Sequence, residues 1–199
     1  MQTIRPSLLI LIALAVFASC AENPAAPAAP TSPESAPSPG NNALAGIVIA
    51  PELPRSGYDR GDYDYPASIE QRIIDAQGGH FSPYSLRCFT DLRQTDIEHI
   101  VAAAEAHDSG AASWTVQRRT AYAQDLANLT TAAPGLNRHE KSDKDPAEWL
   151  PANNRCWYVQ TWIEVKRKYG LAMDPAEADA IRTVLAGCAS TALIKPSCL

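Results

Sequence analysis

The clearest pattern of apolar and polar positions lies near the C-terminus and predicts two consecutive helices. Residues 157–169 have a strongly helical pattern, and Gly170 follows as a C-terminal stop. Asp174, Pro175 and Glu177 supply an N-cap, a first-turn proline and an acid at the third helical position. The sequence therefore predicts a last helix that runs to about Leu185, paired with the one before it as a hairpin.

Earlier segments predict shorter elements. Residues 55–87 are rich in Tyr, Asp, Gly and Pro, which favours loops and short strands, and residues 86–90 suit a short strand. A helix is expected from His99 to His107, another from Trp114 to Leu126, and a helix start at Asp145. Short strands among longer helices indicate an α+β fold that is mostly helical.

The first twenty residues have the pattern of an export signal. Arg5 precedes an apolar run from Leu8 to Phe17 that is too short to span a bilayer. The small residues before Cys20 resemble the lipobox of bacterial lipoproteins, which predicts that Cys20 is lipidated and anchors the protein to the cell envelope. The alternative is ordinary cleavage near Ala18, which would release a periplasmic or extracellular protein.

Composition divides the rest of the chain into two parts. Residues 21–43 are mostly Pro, Ala and Ser, which cannot bury enough apolar surface to fold and therefore predict an extended linker. The folded domain is expected over residues 44–199.

The cysteines predict two disulfides. Without Cys20 the chain keeps an even set of four cysteines in an oxidising compartment. An antiparallel helical hairpin would bring Cys156 and Cys188 together at its outer end, which leaves Cys88 to pair with Cys198.

Charge gives no general sign of nucleic-acid binding. The net charge of −5 argues against simple, tight electrostatic binding of DNA. The acidic excess is uneven, because residues 80–170 carry eleven acids and eleven Lys or Arg. The segment with the candidate chemistry is therefore neutral overall.

Three polar strings within that segment form a set suited to phosphodiester cleavage. They are DIEHIV at residues 96–101, LANL at 126–129 and NRHEKSDKD at 137–145. A neutral imidazole can take a proton from an attacking water, and a hard cation held by carboxylate and amide oxygens can stabilise the leaving oxygen. An asparagine between them can anchor the loop that carries the base.

These strings, with SGAASW, RRTAYAQDLANL and LNRHEKSDKDPAEWLP, resemble the His-Asn-His (ββα-metal, HNH) endonuclease family over residues 58–188. The resemblance implies a short β-ribbon and a helix that grip one divalent metal, with DNA or RNA as substrate. It implies His99 as general base, Asn128 as the residue that orients the ribbon, and Glu98 and Asn137 as metal ligands. Residues 44–199 would then be the nuclease domain, and Mg²⁺ is the expected metal, with Mn²⁺ or Zn²⁺ as alternatives.

Several assignments stay open on sequence grounds. The string after Asn137 is one residue longer than the family spacing, so His139 is an alternative metal ligand. Arg119 and Lys141 are candidate phosphate contacts, and the sequence gives no basis for predicting a protein partner. Two other functions are possible: a non-catalytic envelope lipoprotein that binds through the same scaffold, and a zinc hydrolase built on Glu98, His99 and His139.

Overall fold

A computed structural model describes residues 43–198 of the chain. The predicted signal peptide, the lipidation site at Cys20 and nearly all of the 21–43 linker lie outside these residues. In this described part no helix is both long enough and apolar enough to cross a membrane. The α-helices are α1 (Ile69–Gln77), α2 (Ala103–Asp108), α3 (Val116–Ala123), α4 (Arg155–Tyr169) and α5 (Pro175–Ala186).

Two short strands form the β-ribbon, β1 (Asp96–His99) and β2 (Leu129–Ala132). They pair antiparallel, with Asp96 opposite Ala132 and His99 opposite Leu129. A π-helical turn at Leu136–Lys141 follows β2 closely. Residues 43–198 are 46% helical, so the predicted α+β, mostly helical fold with a ββα-type core is confirmed.

The helix predicted from His99 begins four residues later than expected. His99 is the last residue of β1, and Asn128 accepts a hydrogen bond from Val101 N at 2.8 Å. Residues 100–102 are therefore held between strand and helix, and α2 starts at Ala103. Pairing across the ribbon overrides the local helical preference of the sequence.

Other predicted boundaries also differ. Residues 86–90 form no strand and contribute only a single bridge between Phe81 and Cys88. The helix predicted over 114–126 is confined to α3, and a separate 3₁₀ turn covers Leu126–Asn128. At Asp145 the capping bonds form, to Ala147 N at 2.6 Å and Glu148 N at 3.1 Å, but the chain makes only one turn there.

The helical hairpin is as predicted. Gly170 ends α4 in the left-handed conformation with φ of 70°, which glycine adopts without steric cost. Asp174 and Glu177 form a complete capping box at the start of α5. Both predicted disulfides are present, Cys156–Cys188 across the hairpin and Cys88–Cys198 from the segment before β1 to the C-terminus.

A buried lysine links the hairpin to α2. Lys166 is fully buried, and its Nζ lies 2.7 Å from both Glu105 and Glu177 and 2.9 Å from Ser109 Oγ. These side chains lie beneath the apolar core, where Trp162 and Ile181 are also fully buried. Removal of the ammonium would leave two buried carboxylates without their partner.

We predict that Lys166→Met lowers the free energy of unfolding by roughly 3–5 kcal/mol, because breaking a buried ion pair leaves uncompensated charge. Lys168→Met, two residues further along the same helix, is the matched control. Lys168 is 54% exposed and pairs with Asp125 at 2.6 Å, so its loss should cost less than about 1 kcal/mol. Urea denaturation at neutral pH measures the free energy of unfolding of both variants. Equal decreases would contradict the conclusion that the Lys166 ion pairs stabilise the fold.

Candidate active site

The ring of His99 is fixed at the end of β1 by one hydrogen bond. Its Nε2 lies 3.0 Å from the carbonyl oxygen of Ala123. A carbonyl can only accept a hydrogen bond, so the proton of the neutral ring is on Nε2 and the lone pair is on Nδ1. His99 is one of the residues that line an open cleft of about 380 Å³. The ring that carries the unprotonated Nδ1 therefore forms part of the cleft wall.

Aromatic rings enclose His99 and keep it neutral. Tyr122 stacks on it at 6.2 Å between ring centres with planes 7° apart, and Tyr65 lies at 5.5 Å. Burial lowers the pKa of His99 to about 3, because the imidazolium would lose its hydration. The imidazole is therefore neutral across the ordinary pH range, and its Nδ1 lone pair carries no proton.

Asn128 holds the loop that follows His99. Its Oδ1 accepts from Val101 N at 2.8 Å, and its Nδ2 donates to Val101 O at 3.1 Å. The side chain is fully buried, and its own carbonyl accepts from Ile100 N at 2.8 Å. Asn128 thus binds the backbone at three points and positions His99 without touching the cleft.

Glu98 and Lys141 form a buried ion pair beneath the ribbon. Lys141 Nζ lies 2.8 Å from Glu98 Oε1 and donates to the carbonyl oxygen of His99 at 3.0 Å. Burial raises the pKa of Glu98 to about 7, and Lys141 opposes that shift. Lys141 is fully buried, so the structure gives it a role in holding the ribbon and does not bring it to the cleft as a phosphate contact.

Asn137 reaches the cleft from the π-helical turn. Its Nδ2 donates to Asp96 Oδ2 at 3.2 Å and to the carbonyl oxygen of Ile97 at 3.5 Å. These bonds fix the amide so that its oxygen, the atom a hard cation would take, has no protein partner in residues 43–198. Arg138 beside it pairs with Asp96 through two bonds of 2.6 Å.

Two predicted residues lie away from the cleft. His139 is exposed on the π-helical turn and does not line the cleft. Arg119 is held by Asp62 at 2.5 Å and by the carbonyl oxygens of Ala111 and Ala112 at 3.1 and 2.6 Å. With its guanidinium bound in this way, Arg119 supports the fold beside α3.

The opposite wall comes from a segment for which the sequence predicted loops and short strands. Residues 55–65 contribute two arginines and two tyrosines that face the ribbon: Arg55, Tyr58, Arg60 and Tyr65. The two arginines and three tyrosines of RSGYDRGDYDY were the available signal, but no helical or strand period accompanies them. Its place opposite His99 depends on tertiary packing.

A separate group of acids lies away from the cleft. Glu52, Asp145 and Asp174 each offer a carboxylate oxygen within 4.8 Å of the others, an arrangement that could hold a metal ion. Asp145 and Asp174 both serve as caps through Oδ1. None of the three lines the cleft, so they form no part of the candidate active site.

The cleft thus brings together a neutral imidazole, a carboxylate, an amide oxygen and arginines. Such a set can accept a proton, hold a hard cation and bind an anion. Of the sequence-predicted site residues, it collects Glu98, His99 and Asn137 at its wall, with Asn128 and Lys141 behind them.

Comparisons with known proteins agree with this description. No solved structure matches the chain. An "Uncharacterized secreted protein" of Arthroderma benhamiae is 29% identical over 174 residues, which cover 76% of this chain and 85% of that protein. The model of the family described as GmrSD restriction endonucleases, C-terminal domain, matches residues 52–184, which include the ribbon and the cleft. The chain therefore belongs to the GmrSD restriction endonuclease C-terminal domain family, which is of the HNH-related endonuclease type that its sequence strings resemble.

Proposed function

We propose that the protein is a metal-dependent endonuclease that hydrolyses phosphodiester bonds in DNA or RNA with little sequence specificity. The observation that carries the proposal is the orientation of His99. Its Nε2 is committed to Ala123 O, so the unprotonated Nδ1 is the free nitrogen of a ring that lines the cleft beside Glu98 and Asn137. Membership of a nuclease family supports the same reaction.

His99 would act on a water molecule in the cleft. Its Nδ1 takes one proton as the water oxygen forms a bond to phosphorus, the ester bond on the far side breaks, and the leaving oxygen takes a proton from solvent. Asn128 and the Ala123 carbonyl hold the ring at a fixed angle while the charge on it changes. The negative phosphate offsets the desolvation that keeps the free imidazole neutral, so the base strengthens when substrate binds.

Glu98 and Asn137 provide oxygen donors that fit a small hard cation. Glu98 Oε1 lies 2.8 Å from Lys141 Nζ, and a carboxylate has lone pairs on both of its oxygens, so Glu98 could bind a cation while it keeps this ion pair. One carboxylate and one amide oxygen suffice for Mg²⁺, which keeps waters and takes phosphate oxygens; Mn²⁺ and Zn²⁺ are alternatives. When bound, the metal would supply positive charge to the leaving oxygen.

We further propose that the protein acts outside the cytoplasm. The apolar run before Cys20, the two disulfides and the description of the fungal relative as secreted support export. A lipid on Cys20 would attach it to the bacterial cell envelope, with residues 21–43 as the tether. Its partners would then be the nucleic-acid substrate and the membrane.

We expect wild-type protein to nick plasmid DNA or cleave RNA with Mg²⁺ or Mn²⁺ and to lose this activity in chelator. His99→Ala should lower the rate by about 10²–10⁴-fold, because the general base is lost. His139→Ala, an exposed histidine outside the cleft, is the matched control and should retain the rate. A folded wild-type protein that cleaves neither nucleic acid would refute the enzyme and favour a binding protein.

The metal ligands can be distinguished by comparing two neighbours on the π-helical turn. We predict that Asn137→Ala weakens Mn²⁺ binding by about 10-fold or more, measured by calorimetry, because a metal-facing oxygen is removed. His139→Ala should leave the Mn²⁺ affinity unchanged. The reverse order would move the ligand to His139.

The low pKa of His99 predicts a pH-dependent difference in stability. Below about pH 6.5 the unfolded chain protonates this histidine while the folded protein does not, so its burial costs progressively more stability as the pH falls from 6.5 to about 3. Relative to wild type, His99→Gln should gain up to about 1.4 kcal/mol for each pH unit from 6 downward. Thermal melts in chelator measure this gap, and a gap independent of pH would show that His99 is not neutral in the folded state.

A further inference from the structure

The charges of two of the three cleft arginines are already matched by acids. Arg55 Nε lies 2.7 Å from Asp108 and its Nη1 lies 2.5 Å from Asp143. Arg138 makes two bonds of 2.6 Å to Asp96. Both guanidiniums are oriented by carboxylates, which lowers their capacity to attract a further anion.

Arg60 differs from both. It is exposed, its Nη1 donates to the carbonyl oxygen of Tyr63, and its guanidinium carbon lies 5.2 Å from the centre of the Tyr65 ring. No acid lies within ion-pair distance of Arg60 among residues 43–198. The aromatic ring and the carbonyl orient the guanidinium while most of its N–H donors stay uncommitted.

Arg60 also lies where two cavities meet. The His99 cleft adjoins a second cavity of about 520 Å³, which extends past Glu70 and Thr95 on the other side. The two cavities share five lining residues: Arg60, Tyr65, Ile97, Asn137 and Arg138. A phosphate at this shared wall would leave room for one nucleoside in each cavity.

We propose that Arg60 binds the scissile phosphate at this wall, so that the substrate is an internal phosphodiester with a nucleoside on each side. The inference rests on the proposed nuclease function and adds the residue and the subsite that receive the substrate. A guanidinium fork matches two phosphate oxygens, and those oxygens keep their negative charge as water attacks. Arg60 thereby takes the role that the sequence suggested for Arg119 and Lys141.

The test compares Arg60→Ala and Arg60→Lys with Arg93→Ala, which removes an arginine paired with Asp91 at a side chain that is 90% exposed and outside both cavities. We expect Arg60→Ala to lower kcat/KM on an oligonucleotide by about 100-fold, since an anchor of the reacting phosphate is lost. Arg60→Lys should recover only part of this, because an ammonium cannot form the fork. Arg93→Ala should match wild type.

A binding measurement separates this inference from the proposed function. In the His99→Ala background, Arg60→Ala should weaken binding of a labelled oligothymidylate by about tenfold relative to Arg93→Ala, measured by fluorescence anisotropy. If wild type cleaves and the Arg60 variants equal Arg93→Ala, the inference is overturned while the nuclease assignment stands. If wild type is inactive, the proposed function falls, and equal binding by the Arg60 and Arg93 variants would overturn the inference as well.

Discussion

The arrangement around the ribbon depends on one buried ammonium group. Lys141 reaches from the π-helical turn to the Glu98 carboxylate and to the backbone carbonyl of His99. It therefore joins the π-helical turn to the end of β1, where His99 lies. Because a buried charge is costly unless it is paired and hydrogen-bonded, the turn and the strand favour a single relative position. Asn137, on the same turn, is placed beside His99 as a result.

A second set of bonds fixes the base itself. Asn128 binds the backbone of Val101, and Ala123 O receives the Nε2 proton of His99. The first contact comes from the 3₁₀ turn at Leu126–Asn128 and holds the backbone after His99, and the second comes from the end of α3 and determines which ring nitrogen is free. The direction of the base is set by the Ala123 carbonyl, a main-chain group that does not change with side-chain conformation. This explains how a two-stranded ribbon with four residues in each strand can support a precise geometry.

The sequence predicted the elements whose signals are local. The α4–α5 hairpin followed from its caps, and its antiparallel geometry led to the correct pairing of Cys156 with Cys188. The strings around His99, Asn128 and Asn137 identified the family because their residue types and order are specific. Long-range pairing could not be predicted from the sequence. No residue near Lys141 in the chain indicates that its ammonium pairs with Glu98, which lies 43 positions earlier. Nor does the loop around Arg60 reveal that it faces the ribbon.

The Cys88–Cys198 bond spans 110 positions, and the Cys156–Cys188 bond spans 32 positions inside it. Both strands and the π-helical turn are thus part of a covalent ring. A single protease cut within that ring would leave the two pieces joined through sulfur, and the shorter inner ring would keep the helical hairpin tethered. Ring closure also restricts the unfolded chain by about 5 kcal/mol of lost entropy, which favours return to the folded state. A protein outside the cell, beyond the reach of chaperones, would thereby survive damage that would separate an uncrosslinked chain.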